Sequence, residues 1–238
     1  MMAAASTHPR QWHVQPDAPH MAAALSQRLQ QLSQAAIADH GSVRIGLAGG
    51  STPMAAYADF AAAALPWPLV RLALIDERCV PLSDAQSNER AIAIAFAGVR
   101  AQLCAWQGLY SEAADPALAA DIAIRGFGLP FDITVIGMGA DGHIASLFVE
   151  SPDYDAAMDA TSGRTVLPMR FAAGDGKTDR LSLTLPALLQ TRRVLFCISG
   201  ADKREVLKRS LDGRAPHYAA ARFLAAYDGP ADIFWSPA

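Results

Sequence analysis

Short apolar runs alternate with longer amphipathic stretches from residue 18 to the C-terminal end. The short runs, at 43–48, 69–75, 131–136, 165–168, 181–185, 194–199 and 232–235, are rich in Val, Ile, Leu and Phe and predict strands. The stretches at 18–38, 53–64, 87–96, 116–127, 201–211 and 217–226 predict helices. Several strands are apolar at consecutive positions, as in Val135-Ile136 and Val194-Leu195-Phe196, which fits a sheet covered on both faces. The alternation predicts an α/β fold with a mostly parallel, doubly wound sheet. Ligands of such sheets gather where loops leave the carboxyl ends of the strands. No repeat or linker divides the chain, so a single domain over 1–238 is expected.

Composition narrows the function classes more than the fold. The chain is 52% hydrophobic and 18% charged, enough for a sizeable core, and 20 Lys plus Arg against 23 Asp plus Glu leave a net charge of −3. That balance argues against a nucleic-acid partner, and no apolar stretch is long enough to span a membrane. No apolar leader segment opens the sequence, and a cytoplasmic location is expected. Cys79, Cys104 and Cys197 are widely spaced among apolar neighbours and are expected to be reduced, buried thiols. No Cys or His pair has ligand spacing, so no metal or other cofactor is expected.

The chemistry concentrates after three strands. The run at 43–48 leads into Gly49-Gly50-Ser51-Thr52-Pro53. The glycines permit close backbone approach, Thr52 suits an N-cap and Pro53 a first helical turn, so free helix amides are expected to meet an anion or sugar hydroxyls. The next strand ends in Asp76-Glu77-Arg78, where Arg78 can clamp a phosphate and the carboxylates can hold hydroxyls or orient the arginine. Ser87 suits an N-cap by its chemistry, and Asn88 and Arg90 read equally as capping residues or as ligand contacts.

The third loop, Gly137-Met138-Gly139-Ala140-Asp141-Gly142-His143, has the form GxGxxG. A dinucleotide site is disfavoured, because the loop lies past the middle of the chain and the strand after it carries no acidic residue for a ribose. His143 sits beyond a glycine loop at a strand end, near an expected helix start that would keep its ring neutral and basic. It is the candidate general base. Asp141 caps that helix or orients the imidazole, and local sequence does not separate the two. His8, His13, His20, His40 and His217 lack such surroundings. Arg180, just before the strand at 181–185, and Lys203, early in the helix after Gly200, complete the candidate anion contacts, with a surface salt bridge as the alternative for Arg180.

Together these segments resemble the 6-phosphogluconolactonase family: 46–53 (GLAGGSTP), 76–81 (DERCVP) with Ser87-Asn88, 132–148 (DITVIGMGADGHIASLF), 180–186 (RLSLTLP) and 200–203 (GADK). The resemblance implies a three-layer α/β/α fold like that of glucosamine-6-phosphate deaminase and ribose-5-phosphate isomerase. It implies hydrolysis of 6-phospho-D-glucono-1,5-lactone, the second step of the oxidative pentose phosphate pathway, with His143 as base and Arg78, Arg180 and Lys203 on the phosphate. The expected substrate contacts are thus Gly49, Gly50, Ser51, Thr52, Asp76, Glu77, Arg78, Gly139, Arg180 and Lys203, beside the catalytic pair His143 and Asp141. The chain departs from the family pattern at Val149-Glu150, at 174–179 and at 233–236. A glucosamine-6-phosphate deaminase, whose family typically follows its His-Ile-Ala with Phe-Asn-Glu-Pro where this chain has Ser146-Leu147-Phe148, and a non-catalytic sugar-phosphate sensor are the competing readings.

Overall fold

A computed structural model describes residues 10–172 and 177–237. His8 and residues 174–176 of the divergent loop lie outside the described residues. In chain order the strands are β1 (Arg10–Val14), β2 (Val43–Leu47), β3 (Val70–Leu74), β4 (Asp76–Arg78), β5 (Ala105–Gln107), β6 (Ile133–Gly137), β7 (Val166–Met169), β8 (Arg180–Leu183), β9 (Val194–Ser199) and β10 (Ala231–Ser236). The helices are α1 (Ala18–His40), α2 (Ser51–Ala61), α3 (Asn88–Ala95), α4 (Pro116–Phe127), α5 (Tyr154–Met158), α6 (Leu185–Leu189), α7 (Ala201–Leu211) and α8 (Ala219–Ala226).

Seven strands form one parallel sheet in the order β1-β10-β9-β6-β2-β3-β5, flanked by helices in an α/β arrangement. The central strands are those whose apolar runs are continuous. In β9 Val194, Leu195, Phe196, Cys197 and Ile198 are all buried, because helices cover both sheet faces. The edge strands escaped the hydrophobic pattern: β1 reads Arg-Gln-Trp-His-Val and β5 has three half-buried residues. Their outer sides face solvent, so no apolar run is required.

The expected strands at 165–168 and 181–185 do not join the parallel sheet. As β7 and β8 they form a separate antiparallel three-stranded sheet, order β4-β8-β7, in which β8 pairs with β4 on one side and β7 on the other. A short apolar run carries no information on its partner, and only the return of the chain beside β4 selects this pairing. Among the thiols, Cys197 is buried, Cys79 half-buried and Cys104 exposed, so the expectation of three buried cysteines fails at Cys104, which lies just ahead of edge strand β5. His13 lies within edge strand β1 and bonds the buried Asp232 carboxylate at 3.0 Å alongside Arg28 and Arg193. No helix among the described residues is long and apolar enough to cross a membrane.

The two sheets are joined partly through Asp121 on α4. Its buried carboxylate accepts from the Thr165 hydroxyl at 2.7 Å and the Val166 N–H at 3.1 Å, and it pairs with Arg125 and Arg164 at 3.0 and 3.1 Å. Burial opposes its ionisation, but these donors outweigh burial and hold it at about 2. A depressed value stabilises the fold above the ordinary carboxylate range, and that contribution is lost as pH falls towards 2. Asp121→Ala is expected to destabilise by about 2–3 kcal/mol at pH 7, because it strands several buried donors. Urea unfolding at pH 7 and pH 3 checks this: the gap between wild type and variant should narrow at the lower pH.

Candidate active site

Four strands that are neighbours in the sheet, β9, β6, β2 and β3, deliver the loops singled out in the sequence. Adjacent strands lie about 4.8 Å apart, so chain ends at residues 47, 74, 137 and 199 come within about 15 Å of one another. The chain leaves β2 towards β3 and β5 and later returns on its other side as β6. That reversal opens the crevice in which ligands of doubly wound sheets bind.

The crevice holds roughly 220 Å³ and is lined by Gly49, Gly50, Ser51, Thr52, Asp76, Arg78, Asn88, Gly139, His143, Arg180, Cys197 and Lys203, among others. Every candidate contact from the sequence except Glu77, Arg90 and Asp141 is in this lining. A larger depression of about 300 Å³ near Arg125 and Arg164 lies away from these strand ends, and both its arginines already share Asp121.

Two walls of the crevice are helix N-termini. Both α2 and α7 are preceded by a glycine, Gly50 and Gly200, at φ 89° and 87°, and neither helix has a side-chain cap. Only glycine takes such a φ without strain, and it leaves the first helical amides unspent. Helix α2 begins at Ser51, so Thr52 lies inside the first turn and is not the N-cap expected from sequence. Lys203 stands in the first turn of α7 and forms no ion pair among the described residues.

The small sheet supplies the other cations. In its register Arg78 of β4 lies directly opposite Arg180 of β8. Like charges at such positions repel, and here both Nε atoms are buried without a partner. Burial first, and then the charge of Arg78, lower the Arg180 pKa. Arg78 is aimed by its own neighbours, donating to Gln86 O and to Asn88 Oδ1, both at 2.7 Å.

Glu77, expected as a substrate contact, is not among the residues lining the crevice. Its buried carboxylate accepts from the N–H groups of Arg78, Asn88 and Glu89, each at 2.7 Å, and from the Ser87 hydroxyl. Burial pushes this carboxyl above its ordinary value against the pull of those donors. Glu77 therefore fixes the start of α3, where Ser87 is the N-cap as expected, and with it Asn88. Arg90 stays outside the lining, while Asn88 enters it. Asp76 is buried, accepts from the Ser146 hydroxyl at 2.7 Å and borders the crevice.

His143 is followed by turns and not by a helix, so the expected helix-terminus effect on its ring is absent. Asp141 takes the orienting role: its Oδ1 lies 2.6 Å from His143 Nδ1. Burial opposes ionised Asp141, but the hydrogen bond and charge of His143 together hold the carboxyl below its ordinary value. With Nδ1 engaged, the tautomer set by this bond leaves Nε2 as the proton acceptor. Gly139 makes room for the pair, since a Cβ there would overlap both the Asp141 carboxylate and the imidazole. The N–H groups of Gly139 and Gly142 bond within their own turn, to His143 O and Gly139 O. Cys197 on the floor is no nucleophile, because burial pushes its thiol up to about 12 despite nearby Lys203.

Comparisons with known proteins agree with this architecture. The sequence model of the family described as glucosamine-6-phosphate isomerases/6-phosphogluconolactonase matches residues 16–235. A 6-phosphogluconolactonase of Mesorhizobium japonicum is 34% identical over 229 residues, covering 95% of both chains. One from Pseudomonas putida is 35% identical over 228 residues, 94% of this chain and 92% of the relative. The crystal structure of a 6-phosphogluconolactonase from Shewanella baltica superposes with a TM-score of 0.86 at 26% identity, covering 98% of this chain and 100% of that one.

Proposed function

The chain belongs to the glucosamine-6-phosphate isomerase/6-phosphogluconolactonase family, and from that premise we propose that it hydrolyses 6-phospho-D-glucono-1,5-lactone to 6-phospho-D-gluconate in the cytoplasm, without a cofactor. The observation that carries this reading is one crevice with a carboxylate-oriented imidazole and three cations, Arg78, Arg180 and Lys203. The relatives named above support the lactone as substrate.

In this reading His143 Nε2 takes a proton from water as the water oxygen bonds to C1 of the lactone. The carbonyl electrons move onto oxygen, and the unspent amides at the start of α2 meet that charge; those of Gly139 and Gly142 are already committed. The tetrahedral intermediate then collapses, the bond from C1 to the ring oxygen breaks, and the imidazolium returns its proton to that oxygen. Atoms balance with one water consumed. Arg78, Arg180 and Lys203 hold the distant phosphate, and their binding energy fixes the carbonyl against the base.

A coupled assay on the purified chain with freshly generated lactone, corrected for spontaneous opening, tests the proposal. Lactone opening well above the spontaneous rate is expected, with no ammonia released from glucosamine 6-phosphate. Ammonia release without accelerated lactone opening would overturn it.

A further inference from the structure

Phe148 closes the loop after β6 and touches a group from each end of the site. Its ring packs against the His143 imidazole, with centroids 4.0 Å apart and planes tilted by 34°. The guanidinium carbon of Arg180 lies 5.2 Å from the same ring centroid. Phe171 meets that ring edge-on at 5.4 Å.

The backbone is built to bring Phe148 back over His143. Ala145, at φ 47°, is the non-glycine residue in the left-handed region among those described. Leu147 N–H donates to Ile144 O at 3.0 Å across it, reversing the chain within four residues. The reversal is pinned to the small sheet, because Ser146 donates its hydroxyl to Asp76 and its N–H to the Ser182 hydroxyl. Phe148 itself is 9% exposed, so its ring is held. Arg180, by contrast, makes no side-chain hydrogen bond or ion pair among the described residues, and its Nε is buried without a partner.

We propose that Phe148 is a positioning residue that holds the His143 ring in its reacting orientation and the Arg180 guanidinium against the substrate phosphate. The proposal rests on the reading of His143 as base and Arg180 as phosphate contact. An aromatic face orients a guanidinium that forms no ion pair among the described residues, although Asp76 and Glu77 act on it through space, and ring contact restricts rotation of an imidazole tied to Asp141 through one nitrogen. The same ring serves both, so removing it costs the chemical step and anion binding together.

Phe148→Leu in the full chain tests this. Its kcat for lactone hydrolysis should fall about 10–100-fold through lost orientation. Its calorimetric Kd for 6-phosphogluconate should rise about 3–30-fold, the range a desolvated cation–π contact supports. In a His143→Ala background the kcat effect should vanish while the Kd effect persists. Unchanged kinetics, or an equal kcat loss in both backgrounds, would overturn the proposal. A readout that needs no variant of Phe148 is the proton spectrum: the His143 ring protons, identified by their loss in His143→Ala, should lie upfield of those of exposed His20. No upfield displacement overturns the proposal even if Phe148→Leu fails to fold. Absence of lactone turnover by the wild type would instead sink the underlying reading and leave the ring contact standing.

Discussion

His143→Ala is expected to lower kcat for lactone opening by about 10²–10⁴, the range lost when a positioned base is removed. That corresponds to about 2.7–5.4 kcal/mol of barrier. The chemistry behind the number is the pairing at 2.6 Å between His143 Nδ1 and Asp141, which fixes the tautomer and leaves Nε2 to take the proton. The variant keeps the phosphate contacts, so KM should change little while kcat falls, the mark of an interaction made in the transition state. Asp141→Asn keeps the size of the side chain but weakens its grip on the imidazolium formed during the step, and a smaller loss in kcat is expected. Stopped-flow or steady-state hydrolysis, corrected for spontaneous opening, measures both. An alanine variant with wild-type turnover removes His143 from the mechanism.

Arg78→Ala is expected to lower kcat/KM for the phosphorylated lactone by about 10–100-fold, since a charge-assisted hydrogen bond to phosphate is worth about 1.5–3 kcal/mol. Glucono-1,5-lactone, which lacks the phosphate, should be opened by variant and wild type at nearly the same rate. Arg78→Lys should recover part of the loss at most, because a point charge cannot reproduce the planar fork. The position opposite Arg180 matters here: two guanidiniums side by side with buried Nε atoms repel until an anion sits between them. Substrate binding relieves that repulsion. The wild-type fold should therefore gain thermal stability on adding 6-phosphogluconate, and Arg78→Ala should gain less. Equal loss with both lactones would mean that Arg78 serves the crevice generally and not the phosphate.

The loops after β2, β3, β6 and β9 were legible because their function demands particular residue types at particular strand ends. Glycines at 49, 50 and 139, the Asp76-Glu77-Arg78 triplet and His143 all break the apolar pattern abruptly. Asn88 was less legible, since the same residue serves as a helix start and as a crevice wall. Glu77 is ambiguous for a related reason: a carboxylate beside an arginine looks like a ligand contact in one dimension, whereas three backbone N–H groups engage it in three. The helix expected after His143 failed because periodicity does not see a left-handed turn at Ala145. Phe148 closes the 132–148 stretch that carries the family resemblance, yet no local feature assigns it a role at the site. A phenylalanine in an apolar loop reads as core, and its contact with Arg180 joins residues remote in sequence.

What the order of residues determined by itself is the class of fold and the chemical inventory. Apolar runs of strand length force burial between helices, and that burial is a local property of each segment. Strand order, the antiparallel pairing of β4 with β8 and the meeting of Arg78 with Arg180 depend on contacts between segments about a hundred residues apart. Those contacts are selected by the free energy of packing the whole core, which no single window of sequence contains. The tertiary structure alone therefore decided which carboxylate orients the base, which one holds the scaffold, and which aromatic ring contacts both the imidazole and the arginine.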